Sequence, residues 1–251
     1  EQDGYSRRSS TPLSDVMELA TINLTSIFDN EIEILKSRTL SKKVVSNLGL
    51  YITHSQRRKF GYDIPFYKNP PVKVYMSPED ADKLRGKVGI RMIYDGNELV
   101  ANISYTKRNG EYISLDRTFS ELPAVLTTDV GDITFTPTDG YVSGKTIELL
   151  AYIYNPRSTA ASYRSSMSVT PTSKTTTIAN ITVNNEVPAR AEDFINQLVK
   201  MYNEDANDEK NEVANKTAEF IEERISIINR ELGSTENELA TFKQRSGLTN
   251  I

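Results

Sequence analysis

The residues closest to a recognisable chemical motif are Gly140-Tyr141-Val142-Ser143-Gly144-Lys145-Thr146, which end in the Gly-Lys-Thr of a phosphate-binding loop. That loop requires four residues between its glycines, whereas three separate Gly140 from Gly144, and the position one earlier is Asp139. Such a loop also works by aiming the N-terminal amides of a following helix at phosphate, and the following Ile147 to Tyr154 reads as strand. A hairpin turn is the expectation here. Glu204, Asp205, Asp208, Glu209 and Glu212 form an acidic run that suggests calcium. Counted from Asp205, however, the glycine and bidentate-glutamate positions of a calcium loop hold Lys210 and Lys216. A solvated helix face is the better reading.

His54 is the single histidine, and it lies in a polar segment beside Arg57, Arg58 and Lys59. No Ser-His-Asp arrangement or histidine metal cluster can be built around it from the sequence. The three basic residues read as a solvated loop, with lipid headgroups or an anionic glycan as the sharper alternative. The chain has no cysteine, which removes thiol nucleophiles, disulfides and Cys-zinc sites together. Sequons at Asn23, Asn102, Asn180 and Asn215 carry no weight, since such triplets arise easily by chance. No catalytic, cofactor-binding or metal-binding residue is therefore assigned, and no cofactor is expected for this chain.

These residues belong to a chain of 251 residues, 37% hydrophobic and 25% charged, which is ordinary for a folded protein with a buried core. The net charge of −4 argues against nucleic acid as a partner. No apolar run approaches the roughly 20 residues of a membrane span. The segment from Glu186 to Ile251 carries 14 acidic and 8 basic residues, so the rest of the chain is net positive.

Residues 1–20, with Gly4, several serines and Pro12, read as a loose linker leading to a short helix capped at Ser14 or Asp15. Asn30 to Leu48 carries an apolar stripe of Ile32, Leu35, Leu40, Val44 and Leu48. Asp29 or Asn30 is positioned to cap it and Gly49 to end it, which predicts one or two helices. From Pro70 onward the period changes to two. Strands are expected at Val72–Met76, Val88–Tyr94, Leu99–Thr106, Glu111–Leu115, Asp132–Thr136, Thr146–Tyr154, Met167–Thr170 and Thr175–Val183, about eight in all. Asp95-Gly96-Asn97-Glu98 and Asn109-Gly110 supply hairpin turns, and Ser158–Ser166 suits a short helix.

After Asn184-Asn185, Pro188 fits the first turn of a helix and no proline follows. Phe194, Leu198, Met201 and Tyr202, then Phe220, Ile221, Ile225, Ile228, Leu232, Leu239 and Phe242, recur mostly at spacings of three and four. At about 1.5 Å per residue, a helix reaching Arg245 is on the order of 85 Å long and needs a partner helix for its stripe. Gly233 is its weak point, costing about 1 kcal/mol against alanine. The expected class is α+β: a strand-rich α/β base with flanking helices over 1–187, then one long amphipathic helix over 188–251.

Several segments resemble the bacterial polysaccharide co-polymerases, or chain-length determinants. Asp29 to Arg38 is similar to the family's "E-I-E-I-L-K-S" helix, and Leu150 to Val169 resembles its strand with Pro156 and Tyr163 following. Thr177 to Val183 followed by Pro188-Ala189-Arg190-Ala191-Glu192-Asp193-Phe194-Ile195-Asn196 resembles the family's last strand and its "P-x-R-A-A-x-x-x-N" turn into a long helix. Phe220 to Arg224 and Arg230 to Gly233 are similar to its "F-I-x-x-R…E-L" helix. The resemblance covers nearly the whole chain and is greatest to the tyrosine-autokinase-bearing branch. It implies the periplasmic part of an inner-membrane protein that forms homo-oligomeric rings. Such proteins regulate chain length or export of capsule, exopolysaccharide or O-antigen, with polymerase or export machinery and possibly glycan as partners. Two membrane spans, a returning helix and, in that branch, a cytoplasmic kinase using ATP and Mg would lie outside these residues, so the chain itself is not expected to be an enzyme. The alternatives are a carbohydrate-active hydrolase using a carboxylate pair, and a helical-hairpin adaptor of a secretion or efflux system.

Overall fold

A computed structural model describes residues 28–57, 63–173 and 176–246. The expected linker at 1–20, the short helix after Ser14, the sequon at Asn23, and Arg58, Lys59 and Thr175 lie outside these residues. By its internal contacts the chain divides into two units, one ending at Tyr202 and one beginning at Asn203.

The described part of the first unit begins with two helices, within the expectation of one or two. Residues 28–35 form α1, and α2 spans Arg38–Leu48. Ser37 separates them by taking an extended conformation and capping α2, its hydroxyl accepting from the Leu40 amide at 3.1 Å. Residue 28 is already helical, so neither Asp29 nor Asn30 is the cap expected from the sequence. The predicted end holds: Gly49 adopts φ +64°, a left-handed conformation that glycine accepts without a Cβ clash. Leu40, Val44 and Val45 of α2 are buried in the core.

Six strands build the main sheet, with β1 at Ile52–Arg57, β2 at Asp63–Phe66, β4 at Val88–Tyr94, β5 at Leu99–Thr106, β6 at Tyr112–Phe119 and β9 at Ile147–Ile153. Their order is β2-β1-β9-β4-β5-β6, and every pairing is antiparallel. Alternation places Val88, Ile90, Met92 and Tyr94 of β4, and Leu99, Ala101, Ile103 and Tyr105 of β5, on the core face. Asp95 fixes their turn, its Oδ1 accepting from the amides of Asn97 at 2.9 Å and Glu98 at 2.8 Å.

A second sheet has the order β3-β8-β7, with β3 at Val72–Tyr75, β7 at Ala124–Thr128 and β8 at Gly131–Pro137. A short α3 at Pro78–Ala81 follows β3. The helix expected at Ser158 starts earlier: α4 runs Pro156–Ser166, capped by Asn155, whose Oδ1 accepts from the Arg157 amide at 2.8 Å. Finally β10 (Met167–Pro171) and β11 (Ala179–Val183) pair as a two-stranded ribbon before α5 begins.

The α+β class is as expected, with antiparallel sheets and a long final helix. Eleven strands are present among the described residues where about eight were expected. The additions are β1, β2 and β7. The turn at Gly140 also differs from expectation, because β8 and β9 do not pair. Instead it carries the chain from the three-stranded sheet into the six-stranded one. A Cβ on Gly140 would fall 2.0 Å from the Asn69 carbonyl oxygen, so the close passage of two backbones requires glycine there.

Helix α5 spans Pro188–Arg245, 58 residues, as the sequence predicts. Its first four turns belong to the first unit. Phe194 and Leu198 are fully buried, and the Phe194 ring stacks on Tyr163 of α4 with centroids 4.6 Å apart. Such a stack adds about 0.5–1.5 kcal/mol beyond its area. Tyr202 closes this segment by donating its hydroxyl to the Glu31 carboxylate of α1. That bond, with burial, pushes the phenol up to about 12.

Candidate functional site

The segments that invited chemical readings are dispersed. Gly140 to Thr146 forms turns leading into β9, with no helix at its end. Glu204, Asp205, Asp208, Glu209 and Glu212 lie along the uninterrupted α5, where a helix spreads side chains around its axis instead of curling them about a cation. Asn102, the sequon on β5, hydrogen-bonds across the strand to Asp116 at 2.7 Å.

His54 is the correction that matters most. The sequence leaves it in a polar segment with no element assigned, and the structure places it within β1, against Val74 of β3. Its Nε2 accepts the Val74 amide at 2.9 Å, which joins the two sheets through one ring and leaves the proton of the neutral imidazole on Nδ1. Burial, then the nearby charges of Arg190 and Lys73, lower its pKa to about 4, so the ring is neutral at pH 7. Among the described residues no carboxylate hydrogen-bonds the ring, so nothing orients it as a general base in the manner of a triad.

Arg190 is the residue that sequence reading undervalued. It sits in the first turn of α5 and is only 8% exposed. Its guanidinium donates to the carbonyls of Leu50 and of Ile52 (3.4 Å) and to the Tyr163 hydroxyl (3.2 Å), and it lies 5.3 Å from the Tyr67 ring centroid. No carboxylate among the described residues is in ion-pair range. Backbone dipoles and an aromatic face take the place of a counter-ion. Arg190 thus pins the start of α5 to the chain between α2 and β1.

Both residues line a cleft of about 490 Å³ with Ser158, Thr159, Ser162 and Asn185. Leu50, Pro65, Phe66 and Val187 share the wall with these polar groups, and Glu186 is the one carboxylate among the described residues lining it. This set can hydrogen-bond a hydroxylated or acceptor-rich group. It contains no nucleophile activated by a base.

The second unit presents a different kind of surface. From Asn203 to Ser246 no described residue is buried. Ile221, Ile225, Ile228, Leu232, Leu239 and Phe242 are each between 50% and 63% exposed. Their spacings of four, three, four, seven and three fit a 3.5-residue repeat in which Thr235 fills the skipped place. That spacing is the one a coiled-coil seam uses, and the exposed Val213 and Phe220 flank it on one side. Because the step from the first core position of a heptad to the second is three residues, Ile225, Leu232 and Leu239 take the first position. Ile221, Ile228, Thr235 and Phe242 take the second.

No family model matches the chain, and no curated protein matches it.

Proposed function

We propose that this chain is a non-catalytic, assembly-forming portion of a polysaccharide co-polymerase, in which the seam on α5 packs against the same seam of other copies. The observation that carries the reading is the run of exposed apolar residues from Ile221 to Phe242 at coiled-coil spacing. Leaving six large side chains half-exposed in water forgoes on the order of 1 kcal/mol for each, which helix–helix packing recovers. Leucine holds two of the three first positions and isoleucine two of the four second positions, and leucine with isoleucine in that order favours bundles of more than two helices over dimers. This suits a ring-forming assembly, and the resemblance supplies the rest: a periplasmic setting at the inner membrane and control of capsule, exopolysaccharide or O-antigen length.

Sedimentation velocity over a concentration series tests the first half. Self-association is expected, and Ile225→Asp with Ile228→Asp is expected to abolish it while the β-rich unit keeps its thermal transition. A chain that stays monomeric at every concentration, with and without the substitutions, would remove the basis for the assembly reading. Deleting the gene in its bacterium and measuring polysaccharide chain length tests the second half; an unchanged length distribution and export would sink it.

A further inference from the structure

A cavity of about 580 Å³ lies between α2 and α4, and every ionisable side chain lining it is a cation: Arg38, Lys42, Arg157 and Arg164. Ala160 and Ala161 also line it, and their small side chains take up little of the space. This concentration of positive charge occurs in a chain whose net charge is −4.

One carboxylate partly offsets it. Asp82 Oδ2 accepts from Lys42 Nζ at 2.9 Å and from Arg157 Nε and Nη2, each at 3.0 Å. Burial raises its pKa, but those hydrogen bonds and charges outweigh burial and hold the carboxyl below its ordinary value, so it stays ionised at neutral pH. Its Oδ1 is buried without a hydrogen-bond partner. Asp82 is therefore committed to fixing Lys42 and Arg157 in place. Arg38 and Arg164 have no ion pair among the described residues.

The helix that carries Arg38 sharpens the point. The first turn of α2 contains no acid, although acids are favoured there by the positive helix terminus, and Arg38 occupies it instead. Cations crowded at the positive end of a helix repel one another unless an anion is present. We propose that the cavity between α2 and α4 binds a phosphate-type anion, held by the guanidinium groups of Arg38 and Arg164 with Lys42 and Arg157 preset by Asp82. Arginine suits this role because its planar donor fork matches phosphate oxygens in pairs. The same chemistry fits a free phosphate or pyrophosphate and a phospholipid headgroup.

The test uses the full chain. Pyrophosphate is titrated by calorimetry against chloride at matched ionic strength, and co-sedimentation is measured with phosphatidylglycerol and phosphatidylcholine vesicles. Binding of pyrophosphate alone assigns a soluble anion, and selective binding of phosphatidylglycerol vesicles assigns a headgroup. In either case Arg38→Gln with Arg164→Gln should weaken binding roughly tenfold or more. The same pair should melt no lower than the unsubstituted chain without anion, because it relieves repulsion. Arg38→Gln alone is the fallback if the pair does not fold. Absence of binding in both arms, or binding unaffected by these substitutions, would overturn the proposal.

Discussion

Two stretches of one helix meet opposite fates. From Pro188 to Tyr202, α5 sinks Arg190, Ala191, Phe194 and Leu198 into the sheet-bearing unit. From Asn203 to Arg245 the same helix buries nothing, although its apolar residues are as large and as regularly spaced. The difference lies in the period. The first stretch offers a wide apolar face punctuated by a buried guanidinium, which fits a unique, irregular core. The second repeats every 3.5 residues with interchangeable aliphatic side chains, which fits another helix. A helix can thus be specified for two kinds of packing along one axis by spacing alone.

The strongest way to break this comparison is to delete an equivalent aromatic ring from each stretch. Phe194→Ala should cost about 3–5 kcal/mol by chemical denaturation, since it empties a filled core position and unstacks Tyr163. Phe220→Ala, at an exposed position, should stay within about 0.5 kcal/mol in the unassembled chain. Equal costs would mean that the second stretch is as well packed as the first.

A pH series sharpens it further, because the single histidine belongs to the sheet-bearing unit. The folded-state pKa of His54, about 4, lies below the ordinary 6.5, so the unfolded chain takes up the proton first as pH falls. The stability tied to neutral His54 is intact above pH 6.5 and lost as pH drops toward 4. Going from about pH 7 to about pH 5, this should cost about 2 kcal/mol, and His54→Gln should flatten the slope. The stretch beyond Tyr202 has no histidine and should keep its helical signal through the same window.

The smallest effect concerns Gly233, whose added Cβ would meet nothing within 4 Å. Gly233→Ala should stabilise the second stretch locally by up to about 1 kcal/mol. The readout is slower amide exchange around residue 233 with no change in the unfolding of the sheet-bearing unit.

Much of this fold was legible in the sequence where local pattern and tertiary demand agree. Val88–Tyr94 and Leu99–Thr106 alternate cleanly and carry their own turn, and α5 has a proline at its start and an unbroken periodicity. Strand β2 was hidden because Asp-Ile-Pro-Phe is short and carries a proline, and β1 because Ile-Thr-His-Ser-Gln-Arg is polar. It becomes a strand by pairing with β9, almost a hundred residues later, and that partner leaves no mark on the local sequence. The cleft at His54 was illegible for a related reason. Arg190 finds its carbonyl partners 138 and 140 positions upstream, and no residue type or spacing announces a guanidinium that bonds backbone. The basic cavity has the same origin, since its four cations come from helices far apart in sequence.

The strand order has a consequence for how the chain is made. β1 with β2, and β4 with β5 and β6, are neighbours along the sequence and can pair as soon as each is synthesised. The strand between them, β9, does not exist until Ile153 has left the ribosome. Without β9 the inner edges of β1 and β4 have no strand between them to satisfy their amides and carbonyls. Insertion of β9 satisfies both edges in one event. The centre of the sheet is therefore the one part that no pairing of neighbours along the sequence can complete.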